Sequence, residues 1–332
     1  MNVKALVRTV NHTLKSHNLF PENSRILVAC SGGPDSMALL YLLQDIAIHR
    51  HTMYELGVAI VDHCIRPESK EEVLWLQHQV KFLGLPFYST TFDVPRLSKE
   101  QKQSEETIGR QVRYQWLTEL AQSENYDYIA VAHHKDDQAE SILAHIIRGS
   151  GLNGLAGMSV VSFEYDIPVV RPLLDVTKEN VLAYLAAKHI PYCIDSTNEN
   201  VQYQRNRIRH RIIPELEVIN PNVVDAIVRL GNSVYEDLLV ISDLTEQAFE
   251  KLVTIGADGV SLSRRALRQE SLSIQRRLWQ RLVSTVDSDI TLTSAHQEQL
   301  LDIVKSGEEK TFTIKSIKVT AQCDTIKVYC KH

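Results

Sequence analysis

The 332-residue chain has few cysteines and no pair of them at metal or redox spacing. Cys30, Cys64, Cys193, Cys323 and Cys330 are odd in number, scattered, and form no Cys-x-x-Cys. That pattern supports neither a disulfide framework nor a zinc site, and it fits a reducing cytoplasm. Long apolar runs are missing too, so no segment reaches the length of a membrane span. Residues 1–16 set Val3, Leu6, Val7, Val10 and Leu14 at helical spacing between polar residues, which reads as a surface helix and not a signal peptide. Repeats and low-complexity stretches are absent. There is also no excess of positive charge: the formal net charge is −5, which argues against a uniformly basic nucleic-acid binder.

Basic residues are instead local. Arg205, Arg207, Arg209 and Arg211 follow one another with no acid between them. Arg264, Arg265, Arg268, Arg276, Arg277 and Arg281 stand against Glu270 alone, and Lys315, Lys318, Lys327 and Lys331 lie in the tail. Taken singly, each cluster reads as a solvated helix face.

The first half alternates short apolar runs with helical patterns. Strands are expected at 26–30, 56–62, 87–92, 128–133 and 167–170, and helices at 36–50, 69–83, 104–123, 135–148 and 177–188. This is the pattern of βαβ units on a parallel sheet, a Rossmann-like α/β domain. Near Pro214 the pattern changes. Residues 221–253 and 262–304 read as helical, with Leu262, Leu267, Leu272, Leu278 and Leu282 as core positions. Alternation at 311–315, 317–321 and 325–329 closes the chain with a small β element. The expected division is a catalytic domain over 1–215 and a mainly helical domain with a β tail over 216–332.

The run Ile26-Leu27-Val28-Ala29-Cys30 leads into Ser31-Gly32-Gly33-Pro34-Asp35-Ser36. A buried strand thus feeds a turn at a helix N-terminus, where backbone N–H groups point at an anion. Glycines let an oxyanion approach with no Cβ in the way, and Ser31 and Ser36 add hydroxyls. Asp35 beside phosphates implies a cation between them. No Gly-Lys-Ser/Thr follows and no Gly-x-Gly-x-x-Gly is present, so this is neither a Walker A loop nor a dinucleotide fingerprint. An ordinary strand-to-helix turn is the alternative for Ser-Gly-Gly taken alone.

Three further clusters follow strand ends or open helices. His133-His134-Lys135-Asp136-Asp137-Gln138-Ala139-Glu140 puts Asp137 and Glu140 at i, i+3, on one helix face suited to an ammonium group or a divalent cation. A capped helix with an acidic first turn explains the same residues. Arg110 and Arg113 share a helix face with Glu106, a surface partner for Arg110, and with Gly109, which costs roughly 1 kcal/mol in a helix interior and suggests close approach there. Asp195-Ser196-Thr197-Asn198 precedes the arginines at 205–211, which could hold phosphates bidentately.

The Ser-Gly-Gly-Pro-Asp-Ser turn resembles the phosphate loop of the PP-loop, or N-type ATP pyrophosphatase, superfamily. Taken with Val61-Asp-His-Cys-Ile-Arg-Pro-Glu-Ser69, Glu106 to Tyr114, Ala132 to Glu140, Arg148-Gly-Ser-Gly-Leu-Asn-Gly-Leu-Ala-Gly-Met158, Arg171-Pro-Leu-Leu174 and Arg205-Asn-Arg-Ile-Arg-His210, it resembles the tRNA(Ile)-lysidine synthase family. That resemblance implies a ligase with ATP and Mg2+ as cofactors. Its partners are free L-lysine and a minor isoleucine tRNA with a CAU anticodon, and a homodimer is compatible with it. The wobble cytidine is adenylated at its C2 oxygen and lysine then displaces AMP, so that the codon read changes from AUG to AUA. Carried over by motif, Ser31, Gly32, Gly33, Pro34, Asp35 and Ser36 bind ATP, with Asp35 on the metal. Asp35, His133, Asp137 and Arg205 are catalytic, and Arg113, Asp137 and Glu140 take the lysine. Arg207 and Arg209, and from the basic clusters of the second domain Arg264, Arg265, Arg276 and Arg277, are expected to face the tRNA. A 2-thiolation enzyme on the same fold is the alternative, and the missing Cys-x-x-Cys weighs against it.

Overall fold

The computed structural model describes residues 3–50, 54–66, 68–194 and 204–331. The Asp195–Asn198 motif lies outside them. The chain divides into two compact units, Met1–Ser233 and Val234–His332.

In the first unit, α1 (Val3–Ser16) precedes β1 (Arg25–Ala29), α2 (Pro34–Arg50), β2 (Glu55–Asp62), α3 (Ser69–Phe82) and β3 (Phe87–Thr91). Then come α4 (Val94–Gln101), α5 (Glu105–Ser123), β4 (Tyr128–Ala130), α6 (Lys135–Ile147) and the short α7 (Leu152–Leu155). Strands β5 (Val161–Ser162) and β6 (Val169–Val170) lead to α8 (Lys178–Lys188). The sheet order is β3-β2-β1-β4-β6-β5. All pairings are parallel except β5 with β6. β1 is the central strand, and Ile26, Leu27 and Val28 are fully buried because helices cover both faces. Leu6, Val10 and Leu14 of α1, the apolar side of α2, and Val181, Tyr184 and Leu185 of α8 pack in one core. Tyr114, Leu117 and Ala121 of α5 pack in the other, with Leu27 and Ile129.

The chain builds β1, β2 and β3 outward, then returns to lay β4 on the other side of β1. The carboxyl ends of β1 and β4 therefore flank a topological switch point, where open α/β sheets bind ligands.

After α8, the chain forms α9 (Gln204–Arg207), a π-helical turn (Ile208–Ile212) and α10 (Ile213–Ile219), then the long α11 (Val223–Leu252). The second unit has a five-stranded antiparallel sheet ordered β7-β8-β11-β10-β9, from β7 (Val253–Gly256), β8 (Gly259–Ser263), β9 (Lys310–Ile314), β10 (Ile317–Gln322) and β11 (Thr325–Cys330). Helices α12 (Arg264–Gln269), α13 (Leu272–Val286) and α14 (Ser294–Ser306) belong to the same unit. Its core gathers Leu267, Leu278, Trp279, Leu282, Leu300, Val319 and Val328.

Most expected elements are present, with three corrections. The 253–263 segment, which lies between the two expected helical stretches and overlaps their ends, is a hairpin. Gly259 at φ +143° turns it, and a Cβ there would overlap the Val328 carbonyl of β11. Strands this short are hidden beside long helices. Leu272, expected in the core, is 53% exposed because it sits in the first turn of α13. Helix α4 was missed although Asp93 caps it, its carboxylate accepting from Arg96 N, with Pro95 in the first turn.

Candidate active site at the carboxyl ends of the central strands

Past β1, Gly32 takes φ +80°, a conformation that favours glycine, and α2 starts two residues on. The loop is tied to itself. Ser36 Oγ donates to Gly33 O (2.9 Å) and accepts from Ser31 N (3.2 Å). Trp75 and Cys193 Sγ cover Gly32, and Cys193 N donates to Gly32 O (2.9 Å). Cys30 beneath the loop is a buried thiol whose pKa is pushed up by burial, so it is unreactive packing.

Asp35, the acid of this loop, meets an ammonium. Lys178 Nζ at the start of α8 donates to both of its oxygens, at 2.6 and 2.8 Å. His134 Nε2 lies 3.7 Å away.

Past β4, α6 opens with its acids turned inward. His134 N donates to Asp137 Oδ2 (3.0 Å), so Asp137 does act as a helix cap. Its other oxygen faces the arginines, accepting from Arg205 Nη2 (2.8 Å) and Arg209 Nη2 (3.1 Å). Glu140, only 1% exposed, accepts from Arg205 Nε (2.9 Å), Arg209 Nε (2.6 Å) and Arg209 Nη2 (3.0 Å). Arg205 and Arg209 stand four residues apart and share a face, while Arg207 and Arg211 point to solvent. The π-helical turn begins inside this basic run, and such turns are frequent at functional sites.

Beside them lies one cavity of about 550 Å3, with Ser31, Asp35, His63, Arg113, His133 and Asp137 on its walls. Burial, and then the Arg113 charge, lower the His63 pKa to about 4. Burial also lowers that of His133 despite Asp137 beside it. Nδ1 of both rings is buried without a hydrogen-bond partner. His134 is the opposite case. Burial works against its charge, but Asp136, Asp137 and Asp35 surround the ring and raise its pKa. Burial lowers the pKa of Arg113, whose guanidinium lies 5.3 Å over the Tyr114 ring. Arg110, expected to pair with Glu106, lies 4.8 Å over the same ring. A Cβ on Gly109 would meet the His63 ring at an ordinary 3.8 Å, so the approach expected there is looser than anticipated.

Other motif residues are framework. Gln138 forms a two-bond clasp with the Met158 backbone, donating to its carbonyl (2.8 Å) and accepting from its N–H (2.7 Å). Arg171 is buried, with Nη1 donating to Ser159 O (2.9 Å).

Sequence reasoning gave no role to His63 or Lys178, although His63 directly follows a strand end and Lys178 opens a helix behind the Arg171-Pro-Leu-Leu turn. In the second unit, Arg264 is corrected: it is buried, with Nη2 donating to Glu308 O (2.9 Å), and displays no charge for a phosphate. Arg276 pairs with Glu298 (2.6 Å), Arg277 donates to Ser273, and Arg265 is exposed.

A parallel sheet with a glycine loop after its central strand and an acid–arginine cluster across the switch point defines an α/β phosphate-binding domain. Residues 3–216 match the model of the PP-loop domain, and the chain belongs to that family. Among curated relatives it is similar to the tRNA(Ile)-lysidine synthases of Porphyromonas gingivalis (37% identical over 68% of this chain and 48% of that one) and Thermosipho africanus (38% over 71% and 54%). It is similar to that of Caldanaerobacter subterraneus at 30% over 98% of this chain and 68% of the relative. The chain thus spans about half the length of the first two. Among solved structures, the U34-tRNA thiolase NcsA from Methanococcus maripaludis with its iron–sulfur cluster shares the fold (TM-score 0.61, 20% identity, 70% of this chain and 78% of that one). No helix among the described residues is long and apolar enough to cross a membrane.

Proposed function

We propose that the chain uses ATP to join free lysine to C2 of the wobble cytidine of a CAU-anticodon isoleucine tRNA, forming lysidine, in the cytoplasm. The observation that supports this best is the single cavity lined by both the Ser31–Ser36 loop and Asp137, with buried Glu140 bonded to Arg205 and Arg209 of the same wall. One reaction needs both an anion cradle and carboxylates for an amine.

In the first step the cytidine O2 bonds to the α-phosphorus and the bond to the α–β bridging oxygen breaks. Loop N–H groups and the Ser31 and Ser36 hydroxyls hold the departing pyrophosphate. The donor chemistry suits Mg2+, because Asp35 offers hard oxygens at the phosphate site and phosphates and water complete such a shell. When bound, Mg2+ neutralises the charge of the pyrophosphate. Arg205 and Arg113 face the α-phosphate, and neutral His133 positions it. In the second step the ε-amine of lysine bonds to C2, and AMP leaves with O2. Asp137 and Glu140 hold the amine and accept its proton. Both carboxylates are bonded to guanidiniums in the free chain, so lysine enters as Arg205 turns to phosphate. The exposed arginines of the second part of the chain hold the tRNA body through salt-dependent contacts.

Incubating the full chain with ATP, Mg2+, labelled lysine and unmodified minor isoleucine tRNA tests this. Lysine is expected in the tRNA, and Asp35→Ala is expected to abolish transfer while tRNA still binds. Incorporation of sulfur from a donor, or of no lysine, overturns the proposal in favour of a thiolating or non-catalytic relative.

A further inference from the structure

Lys178 stands where a cation is needed, and its backbone is held firmly. Thr177 caps α8, its Oγ1 accepting from Asn180 N (3.3 Å). The Lys178 N–H donates to Asp136 Oδ2 (2.8 Å), and Lys135 N donates to Val176 O (2.8 Å). The first turns of α6 and α8 are thereby tied together beside the phosphate loop. Buried Leu173, Leu174 and Val176 anchor the approach to α8.

The loop supplies no positive charge of its own, since Asp35 is the one ionisable residue between Ser31 and Ser36. Of the other cations on the cavity wall, Arg113 lies over the Tyr114 ring and the rest pair with acids. Arg66 pairs with Glu72 (2.9 Å), and Arg205 and Arg209 bind the acids of α6. Lys178 is different in kind. Its ammonium has three N–H donors, and two of them go to Asp35, which leaves one for an incoming oxyanion. A carboxylate offers about four lone-pair positions, so Asp35 can keep Lys178 and still take one bond from a divalent cation.

We propose that Lys178 is a phosphate-binding residue of the nucleotide site: its ammonium holds Asp35 in the free chain and bridges Asp35 to a β- or γ-phosphate oxygen once nucleotide is bound. The inference rests on the ATP-using reading above but not on the identity of the acceptor. It has consequences of opposite sign. Removing the ammonium takes a charge-assisted bond from the nucleotide, and it also frees Asp35 to bind a bare divalent cation more tightly.

The test uses the full chain with α,β-methylene ATP and, separately, Mn2+ without nucleotide. For Lys178→Met, nucleotide affinity is expected to fall by about tenfold or more while Mn2+ affinity rises. Lys178→Arg restores most of the nucleotide affinity. Unchanged nucleotide affinity in Lys178→Met, or a parallel loss of both affinities as from local damage, overturns the proposal. If that variant does not fold, acylation footprinting of the wild-type chain decides: the analogue must protect Lys178 more than Lys188, and equal reactivity with and without it overturns the proposal. A wild-type chain that binds the analogue but transfers no lysine strikes the proposed function alone. One that binds no nucleotide strikes both.

Discussion

Arg209 grips Glu140 with two nitrogens, Nε at 2.6 Å from Oε1 and Nη2 at 3.0 Å from Oε2, and the carboxylate so held is 1% exposed. A carboxylate proposed to receive an amine is therefore already neutralised in the free chain. A buried carboxylate stripped of its cation is costly, so Glu140 exchanges one positive partner for another and is never left bare.

Under the proposed reaction, Arg209 competes with lysine. Arg209→Gln is expected to lower the KM for lysine several-fold with little change in kcat, at a stability loss of about 1–3 kcal/mol. Glu140→Gln is expected to raise that KM. Steady-state rates against lysine concentration check both, and a raised KM in Arg209→Gln would place Arg209 on the substrate side of the exchange.

The cavity histidines titrate in opposite senses. His63, at about 4, and His133 are below the ordinary histidine range in the folded chain, whereas His134 is above it. For the lowered pair the unfolded chain binds more protons as pH falls below about 6.5, so acid erodes stability by at most about 1.4 kcal/mol per pH unit for each group. For His134 the sign reverses: its contribution is present below about 6.5 and is lost as pH rises through its raised folded value. Imidazole NMR should show His63 and His133 neutral at pH 5.5 and His134 still protonated there. A protonated His133 at that pH would contradict the burial argument.

Trp279 is fully buried in the second unit, and its Nε1 has no hydrogen-bond partner. Trp279→Ala is expected to cost about 3–5 kcal/mol through the cavity it leaves. Trp279→Phe should cost much less, because it also removes an unsatisfied donor. Urea unfolding followed by far-UV circular dichroism separates the two.

Gly57 of β2 has no room for a methyl group, since a Cβ would strike the Tyr126 ring and hydroxyl. Gly57→Ala is expected to destabilise the first unit by about 1–3 kcal/mol, and Gly57→Ala with Tyr126→Phe to recover part of it. Thermal unfolding of the single and double variants measures the recovery.

The order of strands and helices in the first unit was legible in the chain because buried parallel strands are unbroken apolar runs and their helices repeat near 3.6 residues. The Ser31–Ser36 loop and the acids of α6 were legible because glycine, serine and paired carboxylates at helix starts have few other uses together. Pairings between distant segments could not be read. That Asp35 meets Lys178, that Arg205 and Arg209 close over Asp137 and Glu140, and that Arg264 turns inward depend on contacts between residues far apart in sequence, and periodicity encodes none of these. The 253–263 hairpin was hidden for the same reason: Gly259 is required by the approach of β11, some 70 residues later. Local sequence thus determined the elements and the kind of chemistry on offer, while tertiary structure decided which charges meet, because a buried charge is costly unless the fold brings a distant partner to it.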